Sequence, residues 1–129
     1  MRLPAALLLL NLAAAAGAGP AAAEDKYDAA RRDHPLLFKI YYDAGILEYC
    51  GLVSQAAADG FRLSRDAELA RDELDEDQRR DVRISAYVAV DIEYANRGLG
   101  GYKGWCRTEG RDAFDRFVAY SGAHHVATP

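Results

Sequence analysis

The sequence predicts an all-α fold: a small helical bundle of three to four helices stapled by one disulfide. Three observations carry this. An apolar run of about 24 residues follows Pro35 without a strong breaker, too long for a strand. The stretch "LDEDQRRDV" has the spacing of a helix start and opens a second long segment that ends at Gly98. The chain holds two cysteines, Cys50 and Cys106, which in an exported protein read as a bridge.

Export itself is expected from the first residues. Arg2 gives a small positive region, Leu7 to Leu10 an apolar core, and "GAGPAAAE" places small residues at Ala21 and Ala23 as at a signal-peptidase site. We read residues 1–23 as a cleaved secretory signal peptide and residues 24–129 as a single helical domain with loose ends, periplasmic or secreted. The apolar run is short for a membrane span, so no stable membrane insertion is expected after cleavage. The bland alternative is an uncleaved anchor; a lipoprotein is disfavoured because no Cys lies near the cut. Arg2 leaves with the leader, so the net charge passes from −4 to −5. That balance, with scattered basic residues, argues against nucleic acid as a partner.

Residues 24–33 read as a polar lead-in. A helix then starts at Pro35, whose missing N–H is harmless at the first helical position, and runs to Gly60. It is apolar nearly all round, which predicts burial on more than one side. Its polar residues change face: Lys39 and Asp43 share one, and Glu48, Gln55 and Asp59 fall opposite. A bend at Gly45, or one polar set entering the core or an interface, would account for that. Residues 61–74 suggest only a short helix after Ser64. Asp75 and Gln78 form a capping-box pair for a helix over Glu76–Arg97, with Gly98 as its stop. On it, Ile84, Val88, Asp91 and Ala95 are expected on the inward face beside Tyr87 and Tyr94, which makes Asp91 an anomaly. "AYVAVDIEY" is also compatible with an edge strand.

Residues 98–106 are a glycine-rich connection. Thr108 is placed to cap a last helix whose inward face is Ala113, Phe114, Phe117, Val118 and Ser121. Arg111 with Asp115, and Asp112 with Arg116, are i,i+4 pairs. Gly122 is its expected end. Closing a loop of about 57 residues through Cys50–Cys106 is worth roughly 4 kcal/mol on the chain-entropy estimate.

Candidate chemistry is sparse. "GLGGYKG" lacks the spacing and the Lys-Ser/Thr of a phosphate loop. It reads either as packing on the bridge or as one wall of a binding groove formed by Tyr94, Arg97, Tyr102, Trp105 and Arg107, where aromatic rings would hold a protein, peptide or glycan. No residue stands out as catalytic. Glu48 and Asp91 are the weak candidates for a carboxylate pair of the kind glycan hydrolysis needs, with Glu93 and Glu109 also near aromatic or apolar residues. Arg83, Arg97 and Arg107 are available to neutralise such acids instead. His34, His124 and His125 lack the ordered spacing of a metal site, so no metal and no cofactor are expected. Ser54, Ser85 and Ser121 lie within apparent helices rather than on a nucleophile turn. Eight tyrosines in so small a chain suggest an interface, including a possible homodimer.

The leading expectation is therefore an exported binding or accessory module, not an enzyme. A small glycan hydrolase of the cell envelope, a structural subunit of an exported complex and a pH-responsive periplasmic protein are the alternatives.

Overall fold

A computed structural model describes residues 21–98 and 100–124. The leader expected over residues 1–23 lies outside these except for its last three residues, and His125 lies outside as well. Among the described residues there are five helices of 13 residues or more: α1 (Ala21–Asp33), α2 (Pro35–Cys50), α3 (Gln55–Asp72), α4 (Glu76–Arg97) and α6 (Arg111–His124). A short α5 (Tyr102–Trp105) and a π turn (Cys106–Gly110) lead directly into α6. The all-helical, bridged bundle is as expected; the number of helices is larger than three to four.

The correction begins at Gly51. The helix that opens at Pro35 stops at Cys50, because Gly51 takes the left-handed conformation (φ 62°). Its N–H donates to the Glu48 carbonyl and that of Leu52 to the Leu47 carbonyl, the paired bonds of a Schellman stop. Ser54 then starts α3, its Oγ accepting from the Ala57 N–H at 3.1 Å. The change of polar face is thus a change of helix, not a bend at Gly45. Gly60 does not end a helix. It lies buried within α3, where its bare Cα lets the backbone reach the Phe117 carbonyl of α6. The weak segment after Ser64 is the second half of the same helix. The polar lead-in is helical α1, held to α4 by Lys26–Asp81 at 3.1 Å and by the Ser85 hydroxyl donating to the Tyr27 carbonyl at 3.0 Å.

α4 has the expected bounds, with both halves of the Asp75–Gln78 capping box made, and residues 84–95 are helix rather than strand. Its inward face differs from the expected one. Val82, Ser85, Ala86 and Val90 are buried, while Val88 and Ile92 are 43% and 55% exposed and Asp91 faces solvent. The buried set lies about half a turn from the expected one, on the side that meets α2.

α2 runs through the middle of the molecule. Leu37, Phe38 and Tyr41 pack with Ala30, Leu74, Val82 and Ala86. Ala44 and Leu47 pack with Ala57, Ala113 and Phe117. Ile46 packs with Val90 and Trp105. A helix surrounded in this way has no polar stripe, which explains its two-sided apolarity. Asp43 is buried nonetheless. Lys39 donates to it at 2.6 Å along α2, and Arg116 reaches it from α6 at 2.9 Å. Arg116 makes this crossing bond in place of the expected pair with Asp112, whereas Arg111 and Asp115 do meet, at 3.4 Å.

The contact pairs give the directions. Tyr41 with Tyr87 and Ile46 with Val90 make α2 and α4 parallel. Tyr27 beside Ser85, with Ala30 and His34 beside Val82 and Gln78, makes α1 antiparallel to α4. The bridge joins Cys50, the last residue of α2, to Cys106, with Cα atoms 5.4 Å apart. Thr108 is not a helix cap: it lies inside the π turn, where its hydroxyl donates to the Gly104 carbonyl at 3.0 Å. α6 continues past Gly122 to His124.

Candidate functional site

Two features adjoin at the bridged end of α4. The first is an aromatic cluster. Tyr94 stacks on Tyr49 of α2 (centroids 4.1 Å apart) and leans on Tyr102 at 5.5 Å. Trp105 is almost wholly buried against Ile46 and Val90, and its indole N–H donates to Glu109 Oε2 at 3.1 Å. Arg97 donates to Glu93 Oε1 at 2.8 Å, lies 3.8 Å from Glu109, and sets its guanidinium 5.2 Å from the Trp105 ring centre. Four of the five residues expected to bind therefore meet here: Tyr94, Arg97, Tyr102 and Trp105. Arg107 is exposed on the π turn and makes no ion pair among the described residues.

The two weak catalytic candidates lie beside this cluster. Both are exposed. Asp91 accepts a 2.6 Å hydrogen bond from the Tyr49 hydroxyl, and among the described residues no arginine pairs with it. That bond raises the Tyr49 hydroxyl above its ordinary value, with partial desolvation and the nearby Asp91, Tyr94 and Glu48 charges adding to it. Of the four carboxylates singled out in the sequence, Glu93 and Glu109 are the two that pair with an arginine, Arg97.

The second feature is a groove of about 1110 Å³ between α1, α2 and α4. α1 and α2 part from each other at the His34–Pro35 junction and both rest on α4, so they form the walls and α4 the floor. Ser85, Val88, Ala89 and Ile92 supply the floor; Phe38 and Tyr42 line the α2 wall and Tyr27 the α1 wall. Arg31, Arg32, Lys39 and Pro35 lie toward the junction, with Asp28 one turn farther along α1, and Glu93 and Glu109 lie toward the opposite end. Arg31 closes the narrow end by placing its guanidinium 4.9 Å from the Phe38 ring centre. Burial lifts the Tyr42 hydroxyl above the ordinary tyrosine value, and the charges of Glu93 and Glu109 lift it further. Glu48 and Asp91 are not among the lining residues.

Sequence reasoning missed this groove. Its α1 wall falls in the segment whose sequence reads as a polar lead-in, and Val88 has the spacing of a core residue. Two signals were present: Tyr27 and Arg31 at i,i+4 before the helix at Pro35, and Val88 and Ile92 at i,i+4 on α4.

Among the described residues no cluster of three or more His, Cys, Asp and Glu is gathered as for a metal, and no helix is long and apolar enough to cross a membrane. The chain matches no known protein-family model, no curated protein and no solved structure.

Proposed function

We propose that this chain is an exported helical binding module, and that the groove between α1, α2 and α4 receives a segment of a partner protein. The observation that carries the reading is the groove itself. Its volume, about 1110 Å³, lies at the upper limit of small-molecule cavities, and its floor keeps Val88 and Ile92 in contact with water at a cost in hydrophobic free energy. A contiguous apolar surface rimmed by charged residues is the kind that marks an interaction site. Arg97 and Trp105 of the neighbouring cluster support the open end by fixing Glu93 and Glu109.

Glycan hydrolysis through Glu48 and Asp91 draws no comparable support, since neither lines the groove and Asp91 is engaged by Tyr49.

The test is photo-crosslinking in the exporting cell. A photoreactive residue at Val88 or Ile92 should give one discrete protein adduct. The same residue at Ala58, exposed on α3, should not. Equal labelling from both faces, or none from the groove, would remove the reading.

A further inference from the structure

The floor of the groove has a pattern more specific than apolarity. Ser85, Val88, Ala89 and Ile92 stand at i, i+3, i+4 and i+7 on α4. That is the spacing with which one helix meets another. Ala89 lets a backbone approach closely, and Val88 and Ile92, one turn apart, form a ridge beside it. About a third of a turn away around α4, at 100° per residue, Val82, Ala86 and Val90 already pack against α2. Ser85 is buried and donates to the Tyr27 carbonyl of α1, so the part of this face left open is Ala89 with the Val88–Ile92 ridge, walled by α1 and α2 and about 6 Å long at 1.5 Å per residue.

The charges at the two ends differ in sign. Near the junction Lys39 is engaged by Asp43, while Arg31 and Arg32 make no ion pair among the described residues. At the open end Glu93 and Glu109 share the single arginine Arg97. Asp28 offsets one of the two arginines, so the closed end keeps a net positive charge, and the open end, with two carboxylates to one arginine, a net negative one. A helix carries partial positive charge at its N-terminus and partial negative charge at its C-terminus.

We infer that the groove takes an amphipathic α-helix of a partner protein, packed on the Val88–Ile92 ridge with its N-terminus beside Glu93 and Glu109 and its C-terminus beside Arg31 and Arg32. The inference rests on the preceding reading and adds the conformation and direction of the bound segment. The bound helix runs antiparallel to α2 and α4, the direction α1 already takes. It presents two to three turns, with apolar residues at i, i+3, i+4 and i+7 toward the ridge.

The experiment is selection from a displayed library of peptides of about 16 residues, enough for four helical turns, against the oxidised protein recovered after export. Ile92→Glu serves as the counter-target. Ile92 is 55% exposed, so the variant keeps the core intact. The expected winners carry apolar residues at helical spacing, gain helicity on binding, and lose at least about tenfold in affinity for Ile92→Glu, as for a central anchor position. Arg32→Glu weakens them by about two- to fivefold, in line with a screened helix-end charge. A benzophenone at the N-terminal end of a winner labels α4 near Glu93.

Winners rich in proline or with strand alternation that still depend on Ile92 overturn the helical occupant while leaving groove binding in place. No enrichment over Ile92→Glu overturns both. Labelling of the Arg31–Lys39 end by an N-terminal benzophenone overturns the direction. If sedimentation shows a dimer that Ile92→Glu dissolves, the occupant is a second copy, and the partner-helix assignment fails.

Discussion

Replacing Gly60 by alanine tests the packing of α3 on α6 at its tightest point. A Cβ there lies 1.8 Å from the Phe117 carbonyl oxygen and 2.5 Å from its carbon. Ordinary carbon–oxygen contact is near 3.4 Å, so α6 must retreat by roughly 1.5 Å, enough to forfeit half or more of the dispersion energy across the gap. The obstacle is backbone, which no rotamer change can move aside. Overpacking costs about 1–3 kcal/mol, here at the upper end. Alanine's better helix propensity returns about 1 kcal/mol. The net loss is about 2 kcal/mol, which for a domain of this size lowers Tm by about 10 °C. Thermal unfolding followed by far-UV circular dichroism reads it. Gly122→Ala on α6 is the control: a Cβ there meets nothing within 4 Å, so the same chemical change should leave Tm level or slightly raised. If Gly60→Ala melts with or above the parent, the close approach of the two helices is wrong.

Four further outcomes are expected. Asp91→Ala should shift one tyrosine to earlier ionisation in a spectrophotometric titration, because the Asp91 bond is the main cause of the raised Tyr49 value; an unchanged curve removes that bond. Partial burial pushes the Asp72 carboxyl up, but hydrogen bonds and charge from His34 and Arg71 outweigh it and leave it below 3.8. The stability it contributes is therefore present above about pH 4 and lost as pH falls through the lower folded value; Asp72→Asn should flatten that acid limb in urea titrations, and an identical limb would contradict the His34–Asp72 contact. Reducing Cys50–Cys106 should cost about 4 kcal/mol in denaturant unfolding, and a loss under about 1 kcal/mol would mean that the reduced chain already holds the loop closed. N-terminal sequencing of the exported protein should begin at Glu24; recovery of Met1 from the membrane fraction would instead support the anchor.

The parts of the fold legible in the sequence are those whose signals are local. Asp75, Gln78 and Gly98 delimit α4 without reference to anything distant, and Ala113, Phe117 and Ser121 reveal the buried face of α6 by spacing alone. The break between α2 and α3 was also written locally, in Gly51 and Ser54, but apolar residues on both sides masked it. Face assignment on α4 failed for a different reason. With apolar residues on two sides, which of them is buried depends on where α2 lies, and periodicity carries no such information. The same ambiguity hid the candidate site, because Val88 and Ile92 have the composition of a core. The aromatic cluster was legible as a group, since Tyr94, Arg97, Tyr102 and Trp105 lie close in sequence; its partner Tyr49 comes from another helix and was not.

The π turn at Cys106–Gly110 has a consequence for how the chain tolerates changes in length. Eight positions separate Trp105 from Ala113 and twelve separate it from Phe117. In an uninterrupted α-helix, at about 100° per residue, those spacings would turn Ala113 and Phe117 by about 80° and 120° from Trp105. All three are nevertheless buried, because the wider turn absorbs one extra residue and restores the phase. Removing one exposed residue, such as Thr108, would turn the bulge into ordinary helix and leave Trp105 and Phe117 on one face. Adding one would carry the bridge and α6 out of phase. In this segment a deletion is the mild lesion and an insertion the severe one.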